Sequence, residues 1–321
     1  MMLDKACRAI LTSSMGVRSD ETVLIVTDNV LEGLGRQFFD IAHEYCKEAV
    51  LAVMRERASH GEEPPPLVAA AMAGADVVLL VTHKSLSHTK ARKDACARGA
   101  RIASMPKITP DILSRVSEAD FDQIDKDCRV WCDMLTSAKK VRVVTDLGTD
   151  VSFSIDGRKG DPDTGIYRKS GDFGNIPSGE AYIAPVEGTA NGTIVIDASM
   201  ATVGLLEEPI RITVSDGIAV GIGGGNGARK LEESLSPFGD DARNIAEFAI
   251  GLNASAIITG NTLEDEKVKH TIHFALGDNS TFGGTVISDS HLDGILRNPT
   301  IYLDDKMVMD KGKWYLRQDI L

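Results

Sequence analysis

The sequence predicts an α/β protein in two parts. An N-terminal parallel α/β domain of Rossmann-like type is expected over residues 1–147, and a C-terminal mixed or antiparallel α+β domain over residues 148–321. Three observations predict it. Short, near-continuous β-branched runs alternate with helix-like segments through the first part. The texture changes to polar–apolar alternation from Gly148. An Asp-Gly pair, Asp216–Gly217, then stands between two strand-like runs.

Along the first part, Glu21–Asp28, Ala49–Val53, Asp76–His83, Arg101–Pro106 and Lys140–Asp146 are the strand candidates. Runs without strict alternation fit strands buried on both faces. Between Asp111 and Ser137, Leu113, Val116, Phe121, Ile124, Cys128, Trp131 and Leu135 recur at intervals near three and four, which is one face of a helix. Strand–helix alternation with short connections implies a parallel sheet with right-handed crossovers. In the second part, residues 148–158 alternate, and Asp-Gly between strand-like runs marks a hairpin. Helices are expected at Ala228–Ser236 and Asp241–Leu252, followed by further strands up to the run from Thr300 to Leu316.

Composition narrows the function classes. A chain of 321 residues exceeds one typical domain. A net charge of −12 with 5% aromatic residues excludes a nucleic-acid partner, because neither a counterion-releasing basic face nor a base-stacking surface is present. The five cysteines, none after Cys132, form neither a disulfide framework nor paired zinc knuckles. The most apolar stretch, Leu67–Val81, is too short to span a membrane and contains Asp76. The opening residues lack a signal-peptide run, so a cytoplasmic protein without a membrane partner is expected.

Three of the seven histidines, His270, His273 and His291, fall in one stretch of the second part. In His291-Leu292-Asp293 a strand would aim the imidazole and the carboxylate at one face. Upstream, His270 and His273 would face opposite sides of a strand, and His273, followed by an apolar run, is the better partner for His291. Two imidazoles and one carboxylate suffice for a divalent transition metal with open positions. A hydrogen-bonded His–Asp pair without metal is the plainer alternative. Three glutamates tilt the balance. Glu180 leads an apolar strand, and Glu247 lies in an apolar run where an ionised carboxylate needs a partner. Arg243, four residues earlier, offers Glu247 a simple ion pair, and Glu266 fits an exposed acidic turn equally well.

Other motifs carry less. Gly223–Ala228 matches G-x-G-x-x-A, but it follows a hairpin arm rather than opening a βαβ unit, so a turn and helix start is expected. No G-x-S-x-G, H-E-x-x-H or P-loop pattern occurs. His88, after the strand that His83 closes, sits where parallel sheets place ligand-binding loops, though an exposed capping loop accounts for it as well.

From Gly148 to Gly294 the chain resembles the M29 metallo-aminopeptidases, the aminopeptidase T and aminopeptidase S group. The match runs through the NIPSGEAYIAP, AEFAIGLN, EDEKVKHTIHFALGDN and SHLD blocks. The resemblance implies six metal ligands: Glu180, Glu247 as the bridge, Glu266, His273, His291 and Asp293. It implies two divalent ions (Zn, Co or Mn) activating water to cleave N-terminal amino acids from small peptides, with Glu180 or Glu266 taking the proton, and a homodimer. A second branch of the same superfamily, the 2,5-dihydroxypyridine dioxygenases, resembles the chain in length and in a histidine near His88. It implies one non-haem Fe(II) on His273, His291 and Asp293, a small-molecule substrate and His88 as acid–base group. The aminopeptidase is the first expectation and the ring-cleaving dioxygenase the alternative.

Overall fold

Strands buried on both faces need cover on both; the runs at 22–28, 77–81 and 101–104 find it, whereas the edge run at 48–54 leaves Val50 and Val53 exposed. In the computed structural model, which describes residues 2–315, β1 (Thr22–Asp28), β2 (Glu48–Met54), β3 (Val77–Val81), β4 (Arg101–Ser104) and β8 (Phe173–Asn175) form a parallel sheet in the order β2-β1-β3-β4-β8. On one face Leu24, Val26, Val78, Leu80 and Ile102 pack with Val68 and Met72 of α3 (Pro66–Met72) and with Ala91 and Ala95 of α4 (Lys90–Ala97). α2 (Glu32–Ala42) buries Phe38 and Ile41 against the strands, and α1 (Met2–Ala9) packs beside α2.

The segment expected as one helix is two, α5 (Pro110–Val116) and α6 (Phe121–Ser137). The break has a local cause. Asp120 accepts from the Gln123 amide at 3.0 Å and starts a fresh helix, just as Thr109 caps α5 by accepting from the Ile112 amide.

The remaining strands are antiparallel. An eight-stranded sheet runs β14-β13-β10-β6-β5-β18-β19-β20, built from β5 (Lys140–Val144), β6 (Asp150–Ser154), β10 (Asn191–Ile196), β13 (Ile210–Ser215), β14 (Ile218–Gly223), β18 (Thr300–Leu303), β19 (Lys306–Asp310) and β20 (Lys313–Trp314). A seven-stranded sheet runs β12-β11-β17-β16-β15-β9-β7. Its strands are β7 (Asp161–Asp163), β9 (Glu180–Ile183), β11 (Ser199–Met200), β12 (Gly204–Leu205), β15 (Ile245–Gly251), β16 (Thr271–Gly277) and β17 (His291–Arg297). The two sheets meet through Phe153 of β6, whose ring lies 5.3 Å from Phe248 of β15 and 5.8 Å from Phe274 of β16. Helix α7 (Gly225–Leu235) and the short α8 (Thr262–Asp265) complete the elements.

The Asp-Gly hairpin forms as expected: Asp216 and Gly217 take φ of 48° and 80° between β13 and β14, the left-handed pair that a two-residue hairpin requires. Gly223–Ala228 is the turn and helix start that the hairpin context implied. The helix expected over Asp241–Leu252 is corrected. A single 3₁₀ turn, Asp240–Arg243, precedes β15, all seven of whose residues are buried. A strand covered on both faces shows no alternation, so its period does not distinguish it from a buried helix.

Two compact units emerge: Met1–Asp125 with Thr164–Ser178, and Lys126–Asp163 with Gly179–Leu321. The chain thus changes unit three times, where the sequence suggests one change near residue 147. β5, read as a fifth parallel strand, belongs to the antiparallel unit, and the three-residue β8 takes its place at the edge of the parallel sheet. Leu316, at the end of the final strand-like run, lies outside the described residues. All five cysteines are free. Among the described residues no helix is long and apolar enough to cross a membrane.

The first unit contains a buried ion pair. Arg101 forks onto Glu21 at 2.7 and 2.8 Å, and the side chains are only 5% and 3% exposed. Burial pushes the Glu21 carboxyl up, but the Arg101 fork and the Arg18 amide outweigh it and hold it below its ordinary 4.5. A pKa lowered by folding adds stability that is fully present above that ordinary value and fades as the pH falls through the folded one. Glu21→Gln should therefore cost about 3–5 kcal/mol near neutral pH, because Arg101 is left buried and unpaired. The gap to wild type should narrow as the medium is acidified below 4.5; urea unfolding across that range reads both effects.

Candidate metal centre

Register assembles the site. Across the antiparallel pairs Ala275 lies opposite both Glu247 of β15 and Asp293 of β17, His273 lies opposite Ala249, Gly277 opposite His291, and Gly251 opposite Glu180 of β9. Directly opposed residues share a face, and so do residues two apart. Glu180, Glu247, His273, His291 and Asp293 therefore stand on one face of four neighbouring strands. Phe248 and Phe274 point to the other face, toward the eight-stranded sheet. Ala249 and Ala275 lie between the functional positions and leave room on their face, while Gly251 is covered by the Lys267–Val268 backbone.

The polar atoms converge. Glu247 offers one oxygen to each imidazole, Oε1 to His273 Nε2 at 3.2 Å and Oε2 to His291 Nε2 at 3.2 Å. Asp293 Oδ1 lies 3.3 Å from His291 Nε2 and 3.9 Å from His273 Nε2. Glu180 Oε2 is 3.7 Å from His273 Nε2. Three groups have ligand atoms all within 4.8 Å of one another: Glu180/Glu247/His273, Glu247/His291/Asp293 and Glu266/His273/Asp293. Ligands each about 2.1 Å from one ion sit about 3 Å apart, so the Glu247/His291/Asp293 spacing is that of a coordination sphere. His273 is buried and His291 is 32% exposed, which leaves one side of the cluster open to small molecules.

The tautomers carry the same message. His291 Nδ1 lies 2.8 Å from the Asp278 carbonyl and donates to it, so a neutral ring turns an Nε2 lone pair toward two carboxylates. That contact is repulsive unless a proton or a metal ion lies between. Without an ion, burial pulls His273 down but the hydrogen bond to Glu247 and the charges of Glu180 and Asp293 win, raising it to about 9. Burial raises Glu247, yet the bonds to His273 and His291 hold it far below the carboxylate range. Glu180 Oε2 is buried and has no hydrogen-bond partner. An imidazole lone pair and two carboxylate oxygens turned toward one point, as at His291, Glu247 and Asp293, are what a divalent cation satisfies, so the residues there fit a metal.

A lysine absent from the sequence reading lies beside them. Lys267, 1% exposed, places Nζ 2.5 Å from Glu180 Oε1, 2.8 Å from Glu266 Oε1 and 3.3 Å from Asp163 Oδ2. One ammonium shared among three carboxylates does not offset the burial of all of them. Desolvation therefore raises Glu180 to about 8 and Glu266 to about 7, with the neighbouring Glu266 and Asp293 charges adding to the rise. In sequence Lys267 reads as part of an exposed charged run, EDEKVK. Tyr182 was missed too. It opposes Ala249 and so shares the site face, and Phe282 stacks edge-on against both Tyr182, at 5.6 Å, and His291, at 6.0 Å.

Other expected residues fall elsewhere. His270 precedes β16 in a left-handed turn with φ 73°, is exposed, and turns Nδ1 to the Gly312 carbonyl. Arg243 pairs with Glu232 and leaves Glu247 to the histidines. Glu266 is not an exposed turn: it ends α8 with its carboxyl 13% exposed. His88 lies in the first unit, exposed, next to Thr89, which caps α4. Nearby His83 Nδ1 meets Glu56 at 2.5 Å.

Comparison with known proteins decides the family. The sequence profile described as NicX, 2,5-dihydroxypyridine 5,6-dioxygenase, matches residues 5–315. The chain belongs to this family. A 2,5-dihydroxypyridine 5,6-dioxygenase of Pseudomonas putida is 27% identical over 247 residues, 73% of this chain and 70% of that protein. The solved structure of 2,5-dihydroxypyridine dioxygenase from P. putida matches 99% of this chain and 98% of its own, with a TM-score of 0.84 at 21% identity. AmpT from Thermus thermophilus shares the fold at a TM-score of 0.74 and 15% identity, over 98% of this chain and 99% of its own.

The aminopeptidase expectation is overturned by these matches, and with it the reading as a hydrolase of N-terminal peptide bonds. The blocks that suggested it are the strands that carry the carboxylates and imidazoles, and such a ligand set does not by itself dictate one reaction.

Removing a ligand should tell on metal binding directly. Glu247→Gln and His291→Ala are each expected to weaken Fe²⁺ or Mn²⁺ binding more than about a hundredfold, since even outer-sphere changes cost about 10–100-fold. His270→Ala should leave it unchanged; equilibrium dialysis with elemental analysis makes the comparison.

Proposed function

We propose that the chain is a non-haem Fe(II) dioxygenase that cleaves a small dihydroxylated aromatic ring of the 2,5-dihydroxypyridine type. The observation that carries this reading is the pair of imidazoles, His273 and His291, joined through Glu247 and Asp293 on one sheet face of a chain in the dioxygenase family. His273, His291 and Asp293 would hold the ion, with Glu247 beside them, a nitrogen–oxygen donor set that leaves positions open. When bound, the iron supplies a path for electrons between an electron-rich ring and dioxygen.

The protein's own groups do the rest. The Asp278 carbonyl fixes the His291 ring and keeps its Nε2 aimed inward. Phe282, edge-on to His291 and Tyr182, provides an apolar wall for a flat ring at the exposed side of the cluster. The loop that carries it is pinned by Glu187, which accepts from Asn279 Nδ2 at 3.0 Å and from the Thr285 amide at 2.8 Å.

Iron-loaded protein given 2,5-dihydroxypyridine should consume one O₂ per ring and place both labelled atoms of ¹⁸O₂ in the product, as read by an oxygen electrode and mass spectrometry. Absence of oxygen uptake with any dihydroxylated pyridine or benzene would overturn the reading.

A further inference from the structure

We propose that the Lys267 ammonium stands where a second divalent cation would otherwise sit, so that this chain holds one metal ion rather than two. The proposal deepens the mononuclear reading above and rests on it. Two of the ligand groups, Glu180/Glu247/His273 and Glu247/His291/Asp293, share Glu247. Two such groups sharing a carboxylate offer places for two neighbouring ions, and the donors alone do not limit the count to one.

Lys267 makes the difference between them. Its Nζ meets Glu180 at 2.5 Å, Glu266 at 2.8 Å and Asp163 at 3.3 Å, so the carboxylates on the Glu180 side already face a resident positive charge. The Glu247/His291/Asp293 side has no lysine or arginine within ion-pair distance among the described residues. A divalent ion entering beside Glu180 would meet the ammonium at short range in a water-poor site. Repulsion of that kind lowers affinity by roughly 10³-fold or more.

The backbone that carries the lysine is fixed in place as well. The Asn253 amide donates to the Lys267 carbonyl at 2.8 Å, and the Lys269 amide donates to the Asn253 carbonyl at 3.0 Å. The Lys267–Val268 backbone lies on Gly251, where a Cβ would come within 2.1 Å of the Val268 carbonyl oxygen. Only glycine at this position of β15 lets that backbone approach, and the approach delivers Lys267 to Glu180. Lys267 is thus a positioning residue that sets metal count.

The test is a Mn²⁺ titration of the full chain, stripped of metal, followed by elemental analysis and electron paramagnetic resonance. Wild type is expected to take one Mn²⁺ per chain and to show the six-line signal of an isolated ion at several-fold excess. Lys267→Met is expected to take two and to show the signal of an exchange-coupled pair. A coupled pair in wild type overturns the proposal, as does a folded Lys267→Met that still takes one ion. If Lys267→Met does not fold alone, it is refolded with excess Mn²⁺: rescue with two ions per chain supports the proposal, and failure of rescue or a single ion overturns it. Oxygen uptake plays no part in this readout. A chain that switches from one ion to two but ignores dihydroxylated rings would lose the dioxygenase reading and keep this one.

Discussion

An excess of buried negative charge governs this structure. Asp163, Glu180, Glu247, Glu266 and Asp293 crowd one region of the second unit against a single buried lysine and two imidazoles. Charges removed from water need partners within the fold, and an unpaired buried charge costs more than most packing defects. Each carboxylate is accordingly within reach of Lys267, His273 or His291. The pairing is incomplete at Glu180 Oε2, and two carboxylates are pushed up toward neutrality. A site arranged this way favours a multivalent cation over any neutral ligand.

Backbone geometry creates that crowding without strain. Four antiparallel strands at fixed spacing bring residues distant in sequence, from Glu180 to Asp293, opposite one another, and the two-residue period keeps them on one face. The reverse face of the same strands packs phenylalanines against the eight-stranded sheet, so the side chains beneath the site are locked by a core. Rigid support matters because a metal site tolerates little displacement of its ligands. The small residues between the ligands serve the same end: a larger side chain at Ala275 would fill the space between Glu247 and Asp293, and one at Gly251 would push away the segment that carries Lys267.

Much of this was legible in sequence, and the failures share causes. The His291-x-Asp293 pair was readable because a strand's period is short and local, and the Asp-Gly hairpin because its turn chemistry is specific. The Glu247 segment was misread as a helix because a strand buried on both faces has no alternation to show. The three-residue β8 was missed because an edge strand that short carries almost no pattern, and its neighbours, not its own residues, recruit it. Asp120 was a visible helix cap inside an apolar period long enough to hide it. Lys267 was invisible for a different reason. Its burial depends on Gly251 and Asn253 in another segment, so no local rule separates it from the charged residues around it.

That last case explains why the first functional expectation failed while the site residues converged. Carboxylates and imidazoles on these strands define where a cation binds, but the reaction depends on how many cations there are and what else reaches them. Two ions sharing a carboxylate suit activation of water, whereas one redox-active ion with open positions suits dioxygen. The ligand roster is compatible with both, so matching it residue by residue does not choose between hydrolysis and oxygenation. What distinguishes them physically is the remainder of the charge balance. In this chain a fixed ammonium meets the carboxylates of the Glu180 side, and the imidazoles meet those of the Glu247 and Asp293 side. Reading the cations of a site as carefully as its anions is therefore the step that connects a shared fold to a particular chemistry.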